Sequence, residues 1–130
     1  HRKRKNQLVS CLPKLAESYH IVLITKGDLL HQEQKLAQSG LGNFFDDVQI
    51  VSEKEPQTYR RIFGGDASRA TMAGNSIKSD IVPALEIGAA AIYIPTRYGW
   101  DMEKANPPTS HPRFYKAIQF QDILEILPQI

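Results

Sequence analysis

Short apolar runs recur along the chain, and each is separated from the next by a stretch with helical character. Ile21–Thr25 (IVLIT), Val48–Val51 (VQIV), Ala70–Ala73 (ATMA) and Ala90–Ile94 (AAIYI) have the length of strands. Continuous apolar runs suit strands covered on both faces, as in parallel sheets. Leu29–Gln38 follows the first run, with Asp28 placed to cap its start and Gly40 just past its end. Pro56 fits the first helical position of a segment that continues through Phe63. Ser76 or Ser79 would cap a helix running through Ile87 and ended by Gly88, with Pro83 in the first turn, where its missing N–H costs little. Upstream, Asn6–Tyr19 reads as an amphipathic helix with Leu8, Val9, Leu12 and Leu15 on one face, kinked or delayed by Pro13. Pro95–Arg113 reads as a long surface loop that Tyr98, Trp100 and Phe114 pin to the core. A short strand near Ile118 and a helix over Asp122–Leu127 close the chain.

This alternation predicts an α/β fold: a doubly wound, Rossmann-like parallel sheet with helices on both faces. Its crossovers should be right-handed, with a binding crevice at the carboxyl ends of the strands. Ile21, Leu23, Val48, Ile50, Met72, Ile92 and Ile94 are the strand residues expected to be buried.

Composition narrows the class. Of 130 residues, 42% are hydrophobic and 23% charged, as in ordinary globular domains. No apolar run approaches the ~20 residues of a membrane span. The single cysteine, Cys11, excludes an intramolecular disulfide and a cysteine-based zinc site, and the four histidines form no H-x-H or H-x-x-x-H pair. Four of the sixteen basic residues are Arg2, Lys3, Arg4 and Lys5; beyond them twelve positive charges meet fourteen negative ones. The basic cluster is read as a solvated terminus, with neither nucleic acid nor membrane as a partner. The sequence shows no hydrophobic leader, and the expected location is cytoplasmic.

Polar side chains stand at the ends of three of the runs. Thr25 ends the first and is followed by Lys26, Gly27 and Asp28. Lys54 lies just past the second, in SEKEP, and Asn75, Ser76, Ser79 and Asp80 follow the third, in GNSIKSD. In an open parallel sheet these ends face one crevice, where a hydroxyl, an ammonium, a carboxylate and an amide suit a phosphoryl group beside Mg²⁺. Thr25 would donate a hydrogen bond, Lys54 would offset phosphate charge, and Asp80 with Asn75 would supply hard oxygen ligands.

VLITKGD, SEKEPQTYRRIF and MAGNSIKSDIVPALEIGAAAIYIP resemble the second, third and fourth motifs of the haloacid dehalogenase-like (HAD) hydrolase superfamily. The resemblance runs from about Ile21 to Pro95. It implies an aspartyl-phosphate mechanism, in which an Asp of a D-x-D-x-[T/V] motif attacks phosphorus and a second Asp is the general acid–base. Carried over residue by residue, it places Thr25 and Lys54 in the catalytic set and Thr25, Lys26 and Lys54 at the phosphate. Asn75 and Asp80 fall at the Mg²⁺, with Ser76 and Ser79 supporting them. Asn75 departs from the family, which usually has Asp there; an amide oxygen still ligates Mg²⁺ but brings no charge.

No two of the aspartates 28, 46, 47, 66, 80, 101 and 122 are spaced as D-x-D. The chain therefore reads as the C-terminal portion of a single HAD-like core, with the first strand, its nucleophile and the cap domain outside residues 1–130. The expected function, in the full-length protein, is Mg²⁺-dependent hydrolysis of a small phosphomonoester. The 130 residues alone should not hydrolyse p-nitrophenyl phosphate, and an open sheet edge offers a route to self-association. Two other readings share the fold: a metal-free 2-haloacid dehalogenase and a non-catalytic HAD-like binding or regulatory module. A two-component receiver domain also uses acids, a hydroxyl and a lysine, but in the order acid, hydroxyl, lysine; here the order is Thr25, Lys54, Asp80.

Overall fold

The computed structural model describes residues 10–95 and 106–130. They fall into two compact units, residues 10–53 and residues 54–95 with 106–130.

In the first unit a helix over residues 10–16, α1, buries Cys11, Leu12 and Leu15. It stops three residues before the expected end at Tyr19, in a turn where the Ser18 and Tyr19 amides donate to the Leu15 carbonyl. Leu8 and Val9 lie outside the described residues. Strand β1, Val22–Lys26, leads through Gly27 into helix α2, Leu29–Ser39. The α2 cap is the expected one: Asp28 accepts from the His31 N–H at 3.1 Å, and Gly40 ends the helix in the left-handed region at φ 72°. Strand β2, Asp47–Val51, pairs parallel to β1, with Thr25 opposite Ile50.

In the second unit Pro56 opens helix α3, Pro56–Phe63, as its position predicts. Strand β3, Thr71–Gly74, is followed by five residues of π-helix, Ile77–Ile81, and then by helix α4, Val82–Glu86. Strands β4, Ala90–Tyr93, and β5, Phe114–Lys116, complete a parallel sheet in the order β3-β4-β5. Ile77, Ile81 and Leu85, one helical face at four-residue spacing, pack on Ala91 with Val82, Tyr93 and Phe114 around them. A short helix α5, Ile123–Ile126, closes the chain.

The architecture is the expected α/β arrangement, parallel strands flanked by helices, with every described pairing parallel. Its strands form a two-stranded and a three-stranded sheet, and β1 and β3 each have one hydrogen-bonded neighbour.

Burial departs from expectation in one way. Met72 and Ile92 are buried, but Ile21, Leu23, Val48, Ile50 and Ile94 are only half-buried. Leu23, Val48 and Ile50 lie on β1 and β2, each with a neighbour on one side alone, which leaves more of a strand uncovered, while Ile21 and Ile94 fall just outside the ends of β1 and β4. β4, flanked on both sides, is fully covered at Ala90, Ala91 and Ile92.

The last strand is also displaced from its expected place near Ile118, which is 87% exposed. The strand runs over Phe114–Lys116 instead, paired with Ala91–Tyr93, and Phe114 stacks on Tyr93 with ring centroids 6.5 Å apart. Tyr98 and Trp100 lie outside the described residues. No helix among the described residues is long and apolar enough to cross a membrane.

Candidate active site

The second unit gathers Lys54, Asp80, Ser76, Ser79 and Asn75 around the end of β3. Ser76, not Ser79, is the cap: its Oγ accepts from the Ser79 N–H at 3.0 Å. The next turn is wide, with the Ile81 N–H donating to the Ser76 carbonyl five residues back. Such π turns are frequent at functional sites, because they re-aim a side chain that an α turn would place elsewhere.

The side chain placed by this turn is Asp80. It is 3% exposed and folds back on the strand end, where Oδ2 accepts from the Ser76 N–H at 3.1 Å. Oδ1 accepts from Lys54 Nζ at 2.9 Å. A Cβ on Gly74 would overlap the Asp80 carboxylate, so only glycine leaves room for it. An ammonium carries three donors, and Asp80 takes one. The lysine is thereby held at the strand end as a fixed cation able to receive an anion.

A second tie, absent from the sequence reading, comes from Tyr59 on α3. Its ring is fully buried against Phe63, and its hydroxyl donates to the Ser79 carbonyl at 2.7 Å. Pro83 explains why that carbonyl takes an outside donor: four residues on, where an α-helix would offer an N–H, proline has none. The Ser79–Pro83 spacing is thus a legible signal that a partner was needed there. Burial first, and then the charge of Asp80, push the Tyr59 hydroxyl far above the ordinary phenol range, so it stays a donor. Tyr59→Phe keeps the ring and removes the donor. It is expected to lower stability by about 1 kcal/mol, read as a urea midpoint shift with unchanged slope.

Asn75 directly follows Gly74 and is exposed. No three His, Cys, Asp or Glu side chains cluster among the described residues. The donor set nonetheless fits Mg²⁺ in kind, since Asp80 and Asn75 are both hard oxygen donors and each carboxylate oxygen keeps a second lone pair beyond its hydrogen bond. Other ligands would be waters, phosphate oxygens or groups from elsewhere.

In the first unit Thr25 and Lys26 end β1. Thr25 Oγ1 donates to Gln32 Oε1 at 3.0 Å, a contact the sequence reading did not contain. Lys26 Nζ lies 3.2 Å from Glu53, both side chains being mostly exposed. An open depression of about 330 Å³ lined by Glu33, Leu36, Ala37, Gly40, Gly42 and Asn43 includes none of the expected site residues.

No protein-family model matches the chain, and no curated protein matches it. Solved structures do. A haloacid dehalogenase-like family hydrolase from Xanthomonas campestris is 38% identical with a TM-score of 0.84, over 95% of this chain and 53% of that one. The putative HAD-hydrolase YfnB from Bacillus subtilis, bound to magnesium, is 20% identical with a TM-score of 0.74, over 92% of this chain and 54% of its own. A 2-haloacid dehalogenase from Pseudomonas syringae is 18% identical with a TM-score of 0.70, over 95% and 52%. The last two show the fold. The chain spans about half the length of each of these structures. With parallel strands, and more than a third of its residues identical to a relative aligned over almost all of this chain's length, the chain belongs to the haloacid dehalogenase-like hydrolase superfamily.

Proposed function

We propose that the full-length protein containing this chain is a Mg²⁺-dependent phosphatase acting on a small phosphomonoester through an aspartyl-phosphate. The observation that carries this reading is the Lys54–Asp80 pair, held 2.9 Å apart at the end of β3 with Asp80 almost wholly buried. A buried ion pair is weak evidence for stability alone, because desolvation offsets much of its Coulomb energy. It is better understood as a device that fixes a cation where charge develops on a phosphoryl group.

Lys54 is assigned to a phosphoryl oxygen, and the family resemblance assigns Thr25 and Lys26 to the phosphate as well. Asp80 and Asn75 hold or orient the metal, which when bound offsets charge on the transferred group. Ser76 and Ser79 keep the turn that carries Asp80. The attacking aspartate belongs to the longer protein, since no D-x-D occurs in this sequence. A dehalogenase shares the fold, so the side chains rather than the fold favour phosphate: Asp80 and Asn75 together offer the hard oxygen ligands that Mg²⁺ takes.

The test is inorganic phosphate release from p-nitrophenyl phosphate by the full-length protein, with Mg²⁺ titrated, beside halide release from 2-chloropropionate without metal. Mg²⁺-dependent phosphate release is expected. Asp80→Asn should raise the Mg²⁺ concentration giving half-maximal rate and Asn75→Asp should lower it, since one removes a carboxylate and the other adds one. Halide release without metal, or phosphate release indifferent to both the metal and Asp80→Asn, overturns the reading.

A further inference from the structure

A threonine hydroxyl has one proton to donate, and in this structure Thr25 gives it to Gln32 Oε1 at 3.0 Å. Gln32 is half-buried on the first turns of α2, and its own N–H is bonded to the Asp28 carbonyl at 3.0 Å. The other end of its carboxamide, Nε2, reaches the Lys26 carbonyl at 3.4 Å, a long contact. Between Thr25 and α2 the chain passes through Gly27 at φ 146°, a conformation that side chains avoid. A Cβ at Gly27 would stand 2.7 Å from Gln32 Nε2. The strand-to-helix turn is therefore wrapped closely around the Gln32 side chain, which touches both the threonine and the turn after it.

We propose that Gln32 is the positioning residue for Thr25. The proposal rests on the assignment of Thr25 to a phosphoryl oxygen. Left alone, the hydroxyl would sample its staggered rotamers; the carboxamide selects one and holds the oxygen at the strand end. A carboxamide is also both acceptor and donor. When a phosphoryl oxygen arrives, the Thr25 O–H turns to it, and the Gln32 carboxamide turns over, exchanging the long Nε2 contact with the Lys26 carbonyl for donation to the vacated side of the Thr25 oxygen. No covalent bond changes, and two hydrogen bonds are exchanged for two. A carboxylate at this position could accept but not donate, and it would place negative charge beside a phosphate ligand. A methionine would keep the bulk and lose both functions.

The experiment uses the full-length protein with p-nitrophenyl phosphate as substrate and inorganic phosphate as inhibitor, comparing Gln32→Met, Gln32→Glu, Thr25→Val and Thr25→Val/Gln32→Met. Gln32→Met is expected to raise KM and the phosphate inhibition constant together by about five- to tenfold, as loss of one hydrogen-bonding partner does. Gln32→Glu should raise them further. A merely structural lesion would instead lower the active fraction, and so kcat, at unchanged KM. Because Gln32 acts through Thr25, the double variant should be no worse than Thr25→Val alone. Wild-type KM in both Gln32 variants beside a damaged Thr25→Val overturns the inference and leaves the phosphatase reading standing. Losses that multiply in the double variant also overturn it. An undamaged Thr25→Val removes the assignment of Thr25 and the inference with it.

Discussion

Lys54→Ala in the full-length protein is expected to lower kcat/KM for phosphate-ester hydrolysis by about 10²–10³, the range for losing one preorganised contact to developing charge. Two effects combine. The cation that would meet the phosphoryl oxygens is gone, and Asp80, with a side chain 5% exposed, loses the ammonium that lay 2.9 Å from Oδ1. Breaking one partner of a buried pair costs about 3–5 kcal/mol when the remaining charge is sealed from water. Lys54 itself is 18% exposed, so water can follow the truncated side chain and the stability loss should fall at or below the low end of that range. Two measurements separate the effects. Urea unfolding of Lys54→Ala/Asp80→Asn should recover much of the lost stability, because no buried charge is left unpaired, whereas activity should not return. The Mg²⁺ requirement of Lys54→Ala should stay near that of the wild type. A Lys54→Ala enzyme with unchanged kcat/KM removes Lys54 from the phosphate site.

Gly74→Ala is the second change with a large expected effect. The added methyl would meet Cβ, Cγ and Oδ2 of Asp80, the whole near side of the carboxylate arm and not the far end of a flexible chain. Relief requires Asp80 to leave the strand end or the β3 backbone to shift, and overpacking of this kind costs about 1–3 kcal/mol. Moving Asp80 also pulls it from the Ser76 N–H and from Lys54, so activity should fall with stability. Gly65→Ala is the control: a Cβ there meets nothing within 4 Å, and its urea midpoint should barely move. A wild-type midpoint for Gly74→Ala would mean that Asp80 does not lie against the strand.

Much of the fold was legible because local rules carry it. Asp28 before Leu29, Pro56 at a helix start, Ser76 ahead of Ile77 and Gly40 past Ser39 act within one turn of their own positions, and the structure has each where its chemistry puts it. The parallel pairing of β1 with β2 followed from apolar runs separated by a helix. VLITKGD, SEKEPQTYRRIF and MAGNSIKSD, in that order and spacing, carry the resemblance to the superfamily.

Contacts across the chain were not legible. Lys54 and Asp80 are 26 residues apart, and Tyr59 and Ser79 are 20 apart. Neither separation follows from a periodicity, since each depends on how α3 and the π turn pack. The width of that turn had no signal of its own: the Ser76 carbonyl accepts from both the Asp80 and the Ile81 N–H, which no spacing announces. Apolar pattern likewise identified the strands but not their cover, which is why Ile21 and Leu23 are half-exposed while Ile92 is sealed. Near the end of the chain, Ile118 has the apolar character of a strand residue, yet the last strand is Phe114–Lys116, which pairs with β4 and stacks Phe114 on Tyr93. Sequence alone thus determined the elements, their caps and the residue types at the strand ends, because those depend on neighbours within a few positions. Which side chains meet, how deeply each is buried and which hydroxyl or ammonium is held in place were decided by tertiary packing, where free energy depends on groups that the chain brings together only once folded.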